Sequence, residues 1–103
     1  MAFTSSASFP GGSSSTSSIA LGDVDGDGRL DVLFGNFGGA NELLLQQSDG
    51  SFVAAAGFPG GSANTRSVAL GDVNGDGRLD VVVGNHRGAD ELLLQQSDGS
   101  FVV

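Results

Sequence analysis

Short apolar runs alternate with glycine-rich polar segments along the whole chain. In the first half, such runs lie near 18–22, 30–35, 42–47 and 51–55. Ile19 and Leu21 fall on one face of the first run, whereas the run at 30–35 is apolar on both faces. Glycines interrupt longer windows, and the i, i+3, i+4, i+7 spacing of an amphipathic helix is missing. The pattern therefore predicts short β-strands joined by turns.

The chain is an internal repeat. Residues 9–52 align with residues 58–101 without a gap, at an offset of 49, and differ at ten positions. We divide residues 1–103 into two tandem repeats, about 3–51 and 52–100, with a partial third copy at 101–103. The "SDGS" segments at 48–51 and 97–100 are hairpin signals. Each repeat is therefore predicted to form an antiparallel meander of four strands.

The length of the repeat points to one architecture. A unit of roughly 40–50 residues with four strands has the size of one β-propeller blade. The predicted fold is all-β, with two four-stranded antiparallel blades. Two blades cannot close a ring and would leave sheet edges exposed. We therefore expect homo-oligomerisation into a closed β-propeller, with a trimer or tetramer giving six or eight blades. Residues 2–6 are a candidate outer strand for a neighbouring chain.

Two nine-residue segments, "DVDGDGRLD" at 23–31 and "DVNGDGRLD" at 72–80, concentrate acidic side chains. Such closely spaced carboxylates repel one another unless a cation lies between them. Their spacing offers oxygen atoms at positions 1, 3, 5, 7 and 9 of a loop with glycine at position 6, as calcium loops do. Position 7 contributes a backbone carbonyl. The candidate metal ligands are Asp23, Asp25, Asp27, Arg29 and Asp31 in the first loop, and Asp72, Asn74, Asp76, Arg78 and Asp80 in the second.

Calcium is the favoured ion for these loops. They contain no His or Cys, which argues against zinc and copper, while magnesium prefers a smaller shell rich in water. The alternative is a solvated turn in which Asp acts only as a turn former. Asn74 replaces Asp25 and removes one negative charge, so we expect weaker calcium binding in the second loop. An EF-hand is excluded because Phe34 and Val83 occupy the position of its bidentate Glu.

The segments "ALGDVDGDGRLDVLFGNFGGANELLL" (20–45) and "ALGDVNGDGRLDVVVGNHRGADELLL" (69–94) resemble FG-GAP/VCBS repeats, the blades of integrin α-subunit propellers and of many secreted microbial proteins. The "FG…GA" signature stands at 34–35 and 39–40; the second copy departs from it at Val83, and Asn41 and Asp90 replace its final proline. The resemblance implies calcium loops between the first and second strands of each blade, with the acids above as ligands. It also implies an extracellular or cell-surface location and a role in adhesion, ligand binding or glycan recognition.

Composition excludes several partners and activities. The net charge of −8 argues against a nucleic-acid ligand. No apolar run approaches the ~20 residues of a membrane span, so no membrane insertion is expected. The first residues lack the charged and apolar regions of a signal peptide. With one His, no Cys and no Lys, the chain offers little for catalysis, and we expect that it is not an enzyme.

Differences between the repeats indicate a candidate ligand-binding face. Apart from swaps in strands and the calcium loop, they fall before the first strand and between the second and third, on one predicted face. Recognition residues commonly lie on such loops. The candidates are Asn36, Phe37, Asn41, Asn85, His86, Arg87 and Asp90. The alternatives to an adhesin-like or lectin-like module are neutral variation in a purely structural or engineered self-assembling fragment, and a non-catalytic part of a secreted enzyme.

Overall fold

The computed structural model describes residues 15–61 and 64–103. These residues form two antiparallel sheets. The strands are β1 (Thr16–Gly22), β2 (Asp31–Asn36), β3 (Glu42–Gln46), β4 (Phe52–Ala54), β5 (Thr65–Gly71), β6 (Asp80–Asn85), β7 (Glu91–Gln95) and β8 (Phe101–Val102). Strands β1–β4 make the first sheet and β5–β8 the second. No helix occurs among these residues, so the all-β prediction is confirmed. The same residues contain no helical segment suited to crossing a membrane.

Each sheet is a meander in which spatial order follows chain order. The two sheets share one register, since Ile19 lies opposite Phe34 and Val68 lies opposite Val83. The β3–β4 hairpin closes where the sequence predicts it, with the Gln47 N–H donating to the Ser51 carbonyl at 2.7 Å. The strand at 52–54 opens the second sequence repeat but completes the first sheet. The repeat boundary and the sheet boundary therefore differ.

The main core lies at the seam between the two sheets. Leu33 and Leu43 of the first sheet are buried in one cluster with Val68 and Val81 of the second. On the opposite face of the first sheet, Val32, Phe34 and Leu44 form a separate buried cluster. Strand β2 is thus buried on both faces, as its continuous apolar run predicts. At the seam, β5 packs against β1 and β2, and the two acidic loops follow the equivalent strands β1 and β5.

Ring closure stays a prediction, because the described residues belong to one copy of the chain. The predicted exchange of residues 2–6 between chains lies outside the described residues.

Candidate metal centre

The two acidic loops occupy equivalent places in the two sheets. The first joins β1 to β2, and the second joins β5 to β6, as predicted. Gly26 and Gly28 have φ values of 76° and 85°, and the same two values recur at Gly75 and Gly77. Residues with side chains rarely adopt this left-handed conformation. The glycines therefore let each loop curl so that its acidic side chains point toward a common centre.

The first acid of each loop organises the backbone around itself. The Asp23 carboxylate accepts hydrogen bonds from the N–H groups of Gly26 at 2.9 Å and Gly28 at 2.8 Å. Asp72 accepts the equivalent bonds from Gly75 and Gly77, both at 2.8 Å. These N–H donors, led by that of Gly77, lower the pKa of Asp72. Both carboxylates thus act as local caps for the turn.

The acid at position 5 of each loop pairs with the arginine two residues later. Asp27 accepts the Arg29 backbone N–H at 2.9 Å and contacts its guanidinium at 3.0 Å. In the second loop, the Asp76–Arg78 ion pair measures 3.2 Å. The backbone bond from Arg29 is the main reason why the pKa of Asp27 is lowered. An exposed ion pair of this kind contributes little stability and can yield to a stronger cation.

Curling of the loops brings carboxylates into clusters. Single oxygen atoms of three acids lie within 4.8 Å of one another in each loop. The clustered acids are Asp23, Asp25 and Asp27 in the first loop, and Asp72, Asp76 and Asp80 in the second. Six of the predicted side-chain ligands are therefore brought together in two groups. Asn74 stands where the second loop lacks a carboxylate, and its side-chain oxygen lies 3.4 Å from the Asp76 nitrogen.

Charge crowding is most evident at Asp25. Desolvation, the hydrogen bond that protonated Asp25 donates to the Asp27 carboxylate, and the nearby charges of Asp31 and Asp27 raise the pKa of Asp25 to about 6. A raised carboxyl pKa means that a further negative charge is unfavourable there without a cation. The first loop therefore has the electrostatic character of a site that attracts positive charge.

The last acid of each loop has a role that the sequence does not reveal. Asp31 and Asp80 are fully buried at the start of β2 and β6. Asp31 accepts the N–H of Val24 at 2.8 Å with one oxygen and that of Gln46 at 2.9 Å with the other. Asp80 repeats both bonds, to Val73 at 3.0 Å and to Gln95 at 2.9 Å. Asp31 thus links its loop to β3, and Asp80 links its loop to β7.

The donor set suits a hard cation. Every side chain offered by the clusters is a carboxylate, the ligand type that calcium prefers. A carboxylate has about four lone-pair positions, so bonds from up to three backbone N–H groups, as at Asp23 and Asp72, leave room for an ion. Asp23, Asp25, Asp27, Asp31 and the Arg29 carbonyl would hold an ion in the first loop, and their second-loop counterparts would hold another.

The other end of the sheets carries the candidate ligand-binding residues, and hydrogen bonding separates them into two groups. Asn36 and Asn41 are buried and bonded to each other, since the Asn36 N–H donates to the Asn41 side-chain oxygen at 2.7 Å. Asn85 and Asp90 repeat this bond at 2.9 Å. These four residues shape the β2–β3 and β6–β7 turns. Their backbone-directed bonds leave the remaining candidates as the accessible surface.

That accessible surface is a small aromatic and cationic group across the seam. The Phe37 ring lies 6.0 Å from the His86 ring, and the Arg66 guanidinium carbon lies 5.4 Å above the Phe37 centroid. Arg87 is exposed beside them with φ of 61°. Arg66 is absent from the sequence-based candidates, although its difference from Ser17 in the first repeat was a usable signal.

Comparison with known proteins agrees with this architecture. The family model described as FG-GAP-like repeat matches residues 23–83 and again residues 72–103. Both matches begin at the first acid of a loop. No curated protein matches the chain closely enough to count as a relative.

Proposed function

Because the chain belongs to the FG-GAP-like repeat family, we propose that it is a calcium-binding β-propeller module that assembles into a ring. In this proposal, the ring presents a face for adhesion or for binding a protein or glycan. FG-GAP-like repeats are typical of extracellular proteins, so an extracellular or cell-surface location is part of the proposal. The role is non-catalytic. Calcium serves the structure of the blade rather than a reaction.

The carboxylate clusters are the observation that carries the calcium proposal. Both loops draw three acidic oxygens within 4.8 Å of one another, with the backbone held by the same bonds and the same glycine conformations. A turn former needs one acidic side chain, and additional ones only add repulsion. An ion in each loop would offset that repulsion. Bound calcium would supply a divalent charge that neutralises the clustered carboxylates.

Calorimetric titration of calcium into metal-free protein tests this proposal. We expect two sites per chain, with the site containing Asn74 the weaker. Asp27→Asn should remove the first site and Asp76→Asn the second. Asp49→Asn is the matched control, because Asp49 is an exposed turn acid whose carboxylate accepts bonds from Ser51. Absence of calcium binding by the unmodified chain would overturn the proposal.

The loop difference provides a sharper test. Asn74→Asp restores the charge that the second loop lacks, so it should tighten the second site toward the affinity of the first. The reciprocal change, Asp25→Asn, should weaken the first site. If Asn74→Asp leaves the second affinity unchanged, the residue at the third loop position is not a ligand.

Ligand recognition is the second part of the proposal, and the group of Phe37, His86 and Arg66 supports it. An exposed aromatic ring beside cationic groups offers an apolar platform and hydrogen-bond donors together. A glycan array probed with the calcium-loaded protein is the direct test. Phe37→Ala and His86→Ala should abolish any binding detected, with Val53→Ala as an exposed control elsewhere. An assembled ring without any array signal favours the purely structural alternative.

A further inference from the structure

The seam between the two sheets buries one face of the second sheet. On the same face of the first sheet, Val32, Phe34 and Leu44 at the centre are buried, whereas the apolar side chains beside them on β1 and just before β2 are exposed. At the seam, Val68 is buried and Leu70 and Leu79 pack partly buried against the core. Their counterparts, 49 residues earlier, are among the most exposed apolar side chains of the described chain. These are Ile19, Leu21 and Leu30, with exposed fractions of 57%, 61% and 55%.

The reverse holds for the opposite face. Val24, Leu33 and Leu43 of the first sheet are buried at the seam. Their counterparts in the second sheet are Val73, Val82 and Leu92, with exposed fractions of 53%, 40% and 41%. We call the exposed surface of Ile19, Leu21 and Leu30 the leading face, and that of Val73, Val82 and Leu92 the trailing face. At the seam, the counterpart of the leading face in the second sheet packs against the counterpart of the trailing face in the first sheet.

Glycines at the seam show how closely the sheets approach. A Cβ atom on Gly22 would lie 2.9 Å from Leu79 Cδ1, and one on Gly35 would lie 2.9 Å from Val68 Cγ1. The trailing face keeps both glycines but not the contacts. Apart from the adjacent residues, a Cβ atom on Gly71 would have no atom within 4 Å, and one on Gly84 would lie 3.7 Å from the Ser67 carbonyl oxygen of the same sheet. The trailing face therefore has space where Leu30 and Ile19 of another copy would fit.

One hydrogen bond across the seam has counterpart residues that do not bond to each other within the chain. Buried Gln95 donates from Nε2 to the Val24 carbonyl of the first sheet at 3.0 Å. The repeat places Gln46 and Val73 in the equivalent positions. Within the part of the chain that the structure describes, the Gln46 side chain has no hydrogen-bond partner. The Gln46 amide of one copy is thus suited to the Val73 carbonyl of another.

We propose that the trailing face of one copy docks on the leading face of a second copy and reproduces the seam seen within the chain. The contact is heterologous, because two different surfaces meet, and repeated rotation in one direction closes a ring. The inference rests on the proposed propeller function and names the surfaces that would complete it. Apolar contacts, glycine spacing and the Gln46 bond all specify the same register.

A second copy fits these faces better than an unrelated partner, because the counterparts of these apolar residues, glycines and Gln46 are already in contact at the seam within the chain. Burial of the six exposed apolar side chains removes a substantial apolar surface from water, which favours association. The interface also needs no new charge pairing, since all six side chains are apolar.

Two single-face variants test the proposal. Leu21→Glu places a charge on the leading face, and Leu92→Glu places one on the trailing face; both positions are exposed in the single chain. Native mass spectrometry in calcium should show the unmodified chain as a trimer or tetramer and each variant as a monomer. An equimolar mixture of the two variants should form a dimer containing one of each, because one intact leading face and one intact trailing face remain.

The controls separate docking from folding and from calcium binding. Val53→Glu changes an apolar residue exposed outside both faces, and its counterpart Val102 is exposed too, so this variant should assemble normally. Gly71→Val should fold and bind two calcium ions but fail to assemble. An unmodified chain that stays monomeric while binding calcium would overturn the docking proposal and the ring-assembly part of the proposed function, and would leave the calcium-binding part intact. A mixture that stays monomeric would also overturn it. An assembled ring that binds no calcium would instead overturn the proposed function.

Discussion

Replacing buried Asp31 with asparagine tests whether this acid supports the fold apart from any ion. The carboxylate accepts two backbone N–H bonds with separate oxygens. Asparagine keeps one oxygen but points an NH₂ group at the other N–H, which leaves that donor buried without a partner. A hydrogen bond to a charged group contributes about 1.5–3 kcal/mol, and a buried unsatisfied group costs about 1–3 kcal/mol.

We therefore expect Asp31→Asn to lower the free energy of unfolding by roughly 2–4 kcal/mol. For a chain of this size, that is a large share of a total of about 5–15 kcal/mol. With a urea slope of about 2 kcal/mol/M, the middle of the usual range, the unfolding midpoint should fall by about 1–2 M. Because the chain has no Trp or Tyr, unfolding is best followed by far-ultraviolet circular dichroism.

The assay must be run in chelator, so that loss of an ion ligand cannot produce the effect. Asp80→Asn should behave alike, because its two bonds are equivalent. Asp49→Asn is the control, since exposed Asp49 also accepts a backbone N–H but from a surface turn. Unchanged urea midpoints for both Asp31→Asn and Asp80→Asn in chelator would refute the argument that these acids tie loop to sheet.

Three further predictions follow from the loops. The raised pKa of Asp25 means that, in the metal-free protein, its contribution to stability is present at low pH and is lost as pH rises through about 6. Calcium must displace that proton, so calorimetry should show a calcium affinity of the first loop about tenfold weaker at pH 5 than at pH 7. The affinity of the second loop, which has Asn74, should change less. Equal pH dependence of the two affinities would contradict this. Gly77→Ala should cost about 1–2 kcal/mol in urea unfolding, because its φ of 85° is unfavourable for alanine. Gly88→Ala is the control, because Gly88 is exposed, lacks a positive φ and has room for a Cβ atom; equal costs would count against the strain. Calcium at 100 times its dissociation constant should stabilise the chain by about 2.7 kcal/mol per site. Thermal melts with and without chelator should detect this, with magnesium at equal concentration as the comparison. A melting temperature that calcium leaves unchanged would argue against a structural ion.

The sequence predicts the strands and loops well because their determinants are local. Apolar alternation and turn residues define β1 to β8 to within a residue or two, and glycine spacing defines the loop conformation. Contacts between distant residues are less accessible. The burial of Asn36 and the bond from Gln95 to Val24 depend on how strands and sheets pack, and neither residue type indicates its partner. For the same reason, the sequence indicates only a metal ligand at Asp31, whereas the structure also shows its carboxylate accepting hydrogen bonds from two backbone N–H groups.

The acids of the first loop thus divide between two tasks that place opposite demands on the chain. Asp31 is buried with both oxygens bonded, so it helps to fix the loop before any ion is present. Asp25 and Asp27 are exposed and crowded, and they gain most from an added cation. A loop already shaped by its own backbone loses little conformational freedom when an ion binds, so less of the binding free energy is spent on ordering the chain. This division accounts for four acids in nine residues: an ion needs the crowding, and the buried acid keeps the crowded loop attached to its sheet.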